Sequence, residues 1–470
     1  MPESPLSQPP PIAPDPWALP DLRTTVPGPQ SQAWLQRLKA VESPNVTAVA
    51  GDFPVVWQAA RGGAVLDVDG NTLVDATSAF GVALLGHGSD PVRRAIHAQT
   101  ELLVHGMGDV HPPAVRIALL EKLQALAPGD LGHAVLCGGG AEAVEVALKT
   151  ALLATGRPGV LAFAGAYHGL GHGALDATAR RDFRFPFAAQ LARNTVWLPF
   201  PHPLRPPVGV APQQLLAHIL ARVAEQFDHP AMGGVPIGAV LVEPIQGRGG
   251  TVIPPRGFLS GLRELCDRHG AMLILDEIYT GCGRTGRWFA CEEEGVIPDI
   301  LCVGKALGGG MPIGACLGRP AVMAHWGESR GEALHTSTFL GHPLAAAAAL
   351  ASLQALEDQE IPKLCRDLYP VWLAELTAAL GHHPAVLEIR GRGLMLGIEL
   401  RDWQGVSAGE RAWQVVTGCL ARGVVVLPCG SAGEVIQLTP PAVLTPEQRN
   451  CVVRALADSL AQTTGGTADA

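Results

Sequence analysis

At 470 residues the chain exceeds what one ordinary hydrophobic core fills, so two or three lobes sharing an interface are expected. Hydrophobic residues make up 47% and charged residues 16%, and the net charge is -9; this suits a well-buried globular protein and disfavours a nucleic-acid partner, because phosphate binding needs a basic face. No apolar run reaches the roughly 18 residues of a membrane span, no secretory pattern opens the chain, and the ten cysteines include no C-x-x-C pair, so zinc sites and disulfide frameworks are disfavoured and a reducing cytoplasm fits.

Residues 1–30 are proline-rich and read as an extended or disordered lead-in. A short helix is expected over Trp34–Val41. The alternation in GAVLDVDGNTLVD, around Asp69-Gly70-Asn71, predicts a hairpin. Gly86-His87 then precedes a helix starting at Pro91, and a helical period over Val115–Ala127 is stopped by Pro128-Gly129. The strand His133–Cys137 leads into Gly138-Gly139-Gly140-Ala141 and a helix. Successive glycines between strand and helix let backbone N–H groups close on a phosphate at the positive helix end. A dinucleotide loop is the rival reading, but G-x-G-x-x-G is not met and no ribose-binding acid is evident. The strand in VLAFAGAYHG ends at Tyr167-His168-Gly169, a pair that alone fits packing as well as chemistry. Residues 180–235 offer little beyond a helix near 213–227. AVLVEPIQGRGG reads as a buried strand reaching Glu243-Pro244 and Gln246-Gly247, and an amphipathic helix over Leu259–Gly270 follows.

The stretch from Met272 to Ala315 carries the chemistry. A buried strand, Met272–Leu275, ends in Asp276 and Glu277; a second, Ile300–Val303, delivers Lys305 to the turn Gly308-Gly309-Gly310. An acid at a buried strand end is costly unless a cation or hydrogen-bonding partner meets it. A lysine so placed can lose its charge to burial and attack carbonyl carbon. Pyridoxal phosphate requires such a pair: the acid keeps the pyridinium nitrogen protonated and the lysine forms the Schiff base. Beyond it come a Ser/Thr turn in HTSTFLGHP, an Ala-rich helix over Leu344–Leu356, and an α/β lobe. Its strands are expected at Val386–Ile389, Leu394–Leu400, Val424–Leu427 and Val435–Leu438, with helices over Pro362–Leu380 and Glu447–Ala461.

Taken together, Asp276-Glu277, Thr280-Gly281, Gly283-Arg284-Thr285-Gly286, Pro298-Asp299 and Gly304-Lys305 resemble the signature of the class III (fold type I) pyridoxal-phosphate-dependent aminotransferases, and the resemblance runs from about Gly62 to about Pro446. It implies an α/β fold: a large domain with a mostly parallel sheet flanked by helices, here 91–345, and a small α/β domain from 31–90 and 346–462, with 463–470 as a disordered tail. It also implies roles. Lys305 and Asp276 would be catalytic, Lys305 shuttling the Cα proton. Gly139, Gly140 and Ala141 would form the phosphate cup, with fewer hydroxyl donors than is usual. Tyr167, beside His168, would stack on the cofactor ring, Glu243 would be a supporting carboxylate, and Tyr279 stands where a glutamine usually lies near the ring hydroxyl. Thr338 would reach the phosphate of the neighbouring subunit's cofactor, which implies a homodimer with shared sites.

Three positions depart from the branch that acts on ω-amines with 2-oxoglutarate. Where that branch has arginine, glutamate and arginine to recognise carboxylates, this chain has Leu170, Arg248 and Gln437. The charges look exchanged, and the Arg248 fork would hold a substrate's α-carboxylate bidentately; pairing of Arg248 with a neighbouring acid is the alternative. The expected function is amino transfer between an amino acid or amine and a 2-oxo acid, with 2-oxoglutarate disfavoured. An amino-acid racemase or epimerase on the same scaffold, needing the same Lys305 and Asp276, is the alternative.

Overall fold

A computed structural model describes residues 17–49, 53–229 and 234–463. The predicted hairpin is part of an antiparallel ribbon, β1 (Trp57–Arg61), β2 (Ala64–Asp67) and β3 (Thr72–Asp75). Its turn is set by Asp67, whose Oδ1 accepts from the N–H groups of Asp69 and Asn71 at 2.9 and 2.8 Å, and by Gly70 at φ 83°. Much of the proline-rich lead-in lies outside the described residues, but 17–28 are held in place. Asp21 bridges to Thr72, and the Asn71 side chain accepts from the N–H groups of Arg23 and Thr24. The helix expected at Trp34 begins at Pro29 and ends at Val41. Its start is fixed from the hairpin: the Asp69 carboxylate accepts from Gln30 and Ser31 N–H at 2.7 and 2.8 Å, a cap that local sequence cannot reveal.

The central sheet has seven strands: β4 (His133–Cys137), β5 (Gly159–Phe163), β6 (Thr195–Leu198), β7 (Ile237–Val242), β8 (Met272–Asp276), β9 (Ile300–Val303) and β10 (Gly314–Gly318). Their order is β4-β10-β9-β8-β7-β5-β6, with β10 alone antiparallel. Every residue of β7, β9 and β10 is buried, which explains why these strands read as unbroken apolar runs. Helices Gly140–Thr155 and Phe258–His269 pack on the sheet. Because β5, β7, β8 and β9 run in one direction, their C-terminal ends share one edge, where open α/β sheets bind ligands. Helix Pro343–Asp358 packs on helices Asp90–Leu102 and Ala114–Leu126, and its Ser352 hydroxyl donates to the Ala306 carbonyl at 3.0 Å, just after Lys305.

A third sheet is built from β11 (Val386–Arg392) and β12 (Met395–Leu400), continued by later strands. The strand expected over Val424–Leu427 is two strands in two sheets. β13 (Val424–Val425) runs parallel to β3 in the ribbon, whereas β14 (Leu427–Cys429) pairs with β15 (Val435–Leu438) in the order β11-β12-β15-β14. The run Val424-Val425-Val426-Leu427 holds no turn-former, so nothing local marks the change of partner.

Candidate active site

Asp276 ends β8 with its carboxylate at the shared strand edge. Its Oδ2 lies 2.7 Å from Nδ1 of buried His168, and its Oδ1 accepts from Ile278 N–H at 3.1 Å. Burial disfavours a charged His168, but the hydrogen bond and charge of Asp276, with Glu243 behind, overrule it and raise the imidazole pKa. Asp276 and His168 therefore act as one unit, a carboxylate fixed in aim by a ring behind it. Glu277 turns away: it accepts from the Thr280 hydroxyl and from Ala290 and Cys291 N–H at 3.0 and 2.9 Å, and so ties down the next loop.

Lys305 follows β9 at φ 45°, a left-handed conformation costing ~1–3 kcal/mol that persists where the surroundings over-determine it. Burial pulls its ammonium down to about 8; Asp276 and Glu243 oppose this, while Arg248 and Arg284 assist it. Its Nζ lies 4.1 Å from the centre of the Tyr279 ring. Glu243 is pushed up to about 7 by burial, against the charge of His168, and accepts from Tyr167 and Gly247 N–H at 3.1 and 3.0 Å. It fixes two loop backbones on the site wall.

These groups line one cavity of about 750 Å³, together with Gly139, Gly140, Ala141, Tyr167, Leu170, Arg248 and Gln437. The glycine run sits at the start of the helix Gly140–Thr155, and a Cβ built on Gly139 would meet nothing, so the cradle is open at the positive helix end. Gly140 has the opposite reason to be glycine: a Cβ there would lie 2.8 Å from Ile278 Cδ1. Ile278, two residues after Asp276, thus packs beneath the cup and lines the cavity. An anion cradle, a buried fixed carboxylate, a lysine of lowered pKa and flanking Tyr167 and Ile278 fit pyridoxal phosphate.

Tyr279 does something other than expected. Its hydroxyl donates to Gln437 Oε1 at 2.9 Å and lies 3.2 Å from Thr439 Oγ1, so its ring and not its hydroxyl faces Lys305. The large ring is accommodated by Gly81 and Gly247, at either of which a Cβ would collide with it. Gln437 lines the cavity, but its amide is engaged with Tyr279, with the Gly247 carbonyl at 3.2 Å and with Thr251 Oγ1 at 3.0 Å. It has little left for a carboxylate. Arg248 makes no ion pair among the described residues, so pairing with an acid is excluded there. Its guanidinium lies over Tyr167 at 4.9 Å and over Phe183 at 6.0 Å, on the aromatic faces that its planar group favours. Tyr167 therefore meets a cation on the cavity wall, a partner sequence did not indicate.

Phe80, which also lines the cavity, sits in a run of four positive-φ residues. Ser78, Ala79, Phe80 and Gly81 have φ of 49°, 47°, 62° and 82°, a left-handed turn costing ~1–2 kcal/mol per non-glycine residue. Asp75 holds one end, accepting from Thr77 and Ala79 N–H at 2.7 and 2.9 Å and from the Thr77 hydroxyl, while His87 Nε2 lies 2.8 Å from it. Fully buried Arg284 holds the other through Gly81 O and Ser78 Oγ, and reaches Leu394 O and Pro440 O. The Gly-Arg-Thr-Gly motif is thus a clamp joining three parts of the chain. Thr338 is exposed and does not line this cavity.

Residues 46–460 match the aminotransferase class-III family. Among solved structures, an amine transaminase from an uncultivated Pseudomonas species, described in its pyridoxal-phosphate-bound form, is 30% identical with a TM-score of 0.81, covering 90% of this chain and 98% of the other. An (S)-enantioselective ω-transaminase from Thermomicrobium roseum is 26% identical, TM-score 0.83, at 92% and 98% coverage. The ornithine aminotransferase of Toxoplasma gondii is 27% identical, TM-score 0.78, at 92% and 94%. By that match over most of its length, this chain belongs to the class-III aminotransferases, enzymes that depend on pyridoxal phosphate.

Proposed function

We propose that the enzyme moves an amino group between an amino acid or amine and a monocarboxylic 2-oxo acid, with Arg248 holding the α-carboxylate and 2-oxoglutarate disfavoured. Pyridoxal phosphate, when bound, supplies the electron sink for the pair left at Cα. The chain's own residues do the rest. Lys305 Nζ would take and shuttle the Cα proton, a task suited to an amine poised at about 8. Asp276, aimed by His168, would keep the ring nitrogen protonated, and Gly139, Gly140 and Ala141 would receive the phosphate. Tyr167 and Ile278 wall the ring space and Glu243 braces the loops. Leu170, 52% exposed, gives the substrate wall an apolar surface.

One observation carries the specificity: Arg248 is a cation on the cavity wall without an acid partner among the described residues, while the amide of Gln437 is engaged elsewhere. A second, distal carboxylate would be desolvated without a cation, at several kcal/mol. Arg248→Met is expected to raise KM for monocarboxylic substrates about 10–100-fold and to leave KM for amines without a carboxylate within a few-fold. Equal losses on both classes, or a wild-type preference for 2-oxoglutarate, would sink the proposal. In the same assay, oxo acid released from a single amino acid without an acceptor marks transfer; loss of optical activity without oxo acid marks a racemase.

A homodimer sharing its sites is part of the proposal. Leu102, Leu334 and Phe339 are 79%, 78% and 65% exposed, and their two segments are joined by a Thr336–Asp109 hydrogen bond of 2.9 Å and a His105–Phe339 ring contact. Such an apolar patch beside exposed Thr338 suits a two-fold contact that delivers Thr338 to the partner's cup. The domain division at 31–90, 91–345 and 346–462 is proposed on the three sheets. A cytoplasmic setting is proposed on ten free cysteines, nine of them buried. Among the described residues no helix is long and apolar enough to cross a membrane.

A further inference from the structure

The segment 180–187, which sequence leaves uninterpreted, has two faces. One belongs to the substrate site: Phe183 meets the Tyr167 ring at 6.0 Å, and Arg180 donates to the Gly430 carbonyl at 3.1 Å beside the wall strand β14. The other closes a separate cavity of about 380 Å³ against the edge strand β6, lined by Arg181, Arg184, Arg193, Asp176, Thr195 and Trp197 among others.

Donors exceed acceptors in this second cavity. The Arg184 guanidinium lies 3.6 Å over the Trp197 ring and makes no ion pair or side-chain hydrogen bond among the described residues. Arg181 lies over Phe185 at 5.6 Å and likewise has no acid partner among them. Trp197 Nε1 is buried with no hydrogen-bond partner. The one carboxylate lining the cavity, Asp176, is already engaged: Oδ1 accepts from Arg193 N–H at 3.3 Å, and Oδ2 from Asn194 N–H at 3.1 Å and from the Thr195 hydroxyl at 3.2 Å. Buried polar groups in folded proteins find partners, and a buried indole N–H beside unpaired guanidinium groups asks for an acceptor that carries charge. Stacking Arg184 on Trp197 fixes the plane of its fork, the arrangement that suits two oxygens of one tetrahedral group.

We propose that this cavity binds a small phosphate-bearing anion, outside the substrate site. Holoenzyme is titrated calorimetrically with inorganic phosphate, chloride holding the ionic strength constant. Saturable binding is expected in the wild type and in Arg248→Met, weakened about tenfold or more by Arg184→Gln, the loss of a charge-assisted hydrogen bond. Arg184→Lys, which keeps the charge without the fork, should fall between, and an unchanged melting temperature in both variants shows that the fold is intact. Malonate, a dianion of different shape, should bind about tenfold more weakly than phosphate. Phosphate binding that survives Arg184→Gln, or that disappears in Arg248→Met, would place the anion elsewhere and overturn the proposal. So would malonate binding as tightly as phosphate.

Discussion

The two walls of the active-site cavity are made differently. On the catalytic wall, Asp276, Lys305 and the glycine cup sit at strand ends of one sheet, and His168 is buried beneath them. The carboxylates there have fixed hydrogen-bonded neighbours. On the substrate wall, Arg248, Tyr167 and Leu170 come from loops and Phe183 from the one-turn helix Arg181–Arg184, with Phe80 on its left-handed turn, and their contacts are ring faces and open cavity. Rigid strand ends hold chemistry that every substrate shares, whereas loops let neighbouring charges be exchanged without disturbing the sheet.

The sharpest way to break this contrast is Lys305→Ala. Activity is expected to fall by ~10⁴-fold or more, and borohydride should no longer fix cofactor to the protein, as intact mass would show; fixation that persists removes Lys305 from its role. A subtler test asks whether the substrate wall reaches the catalytic one. Folding lowers the pKa of Lys305 from 10.5 to about 8, so the folded apoprotein binds fewer protons than the unfolded chain between those values. The penalty for burying the charge is present below about pH 8 and is relieved as pH rises toward 10.5. The rate of cofactor capture by apoprotein, followed by absorbance, should therefore climb through an inflection at about 8. Because the Arg248 charge helps to lower this pKa, Arg248→Met should move the inflection upward, and an unmoved profile would separate the walls electrostatically. The smallest effect is expected at Gln437→Ala. Loss of its bonds to Tyr279, Gly247 and Thr251 should cost about 1–2 kcal/mol in denaturant unfolding, with no more than a few-fold change in KM for carboxylates.

Most of the catalytic wall could be read in the sequence, and the reason is local. Apolar runs such as Ile300–Val303 and His133–Cys137 coincide with β9 and β4, and the residues that matter follow strand ends within a few positions. Arg248 could be singled out in the sequence, and it does line the cavity. Its seat on Tyr167 and Phe183 could not be read, because Phe183 lies in the segment 180–187, which has no period to read. Tyr279 misled for a related reason. Its hydroxyl partners, Gln437 and Thr439, come from β15 and the loop beyond it, and its space from Gly81 and Gly247, so only tertiary structure turns the phenol away from the cofactor space. The Val424–Leu427 run failed as one strand because two sheets share it.

That shared run bears on how the chain is made. β3 has β2 on one side and, on the other, the Asp21 bridge at Thr72 and then β13, whose two residues are synthesised after the whole of the central sheet. The bonds that finish this edge are equally distant in sequence: Val74 N–H to Gly423 O, Ala76 N–H to Val425 O, and Thr439 N–H to Ala76 O. Until residues 423–439 leave the ribosome, the Val74–Ala76 end of this edge is open and the left-handed turn lacks the Ser78 hydroxyl bond to Thr439 O. Contacts of such long sequence separation close late and slowly. The Phe80 side of the cavity consequently forms late, and a nascent chain that has already built its cofactor cradle still lacks that part of the wall against which it chooses a substrate.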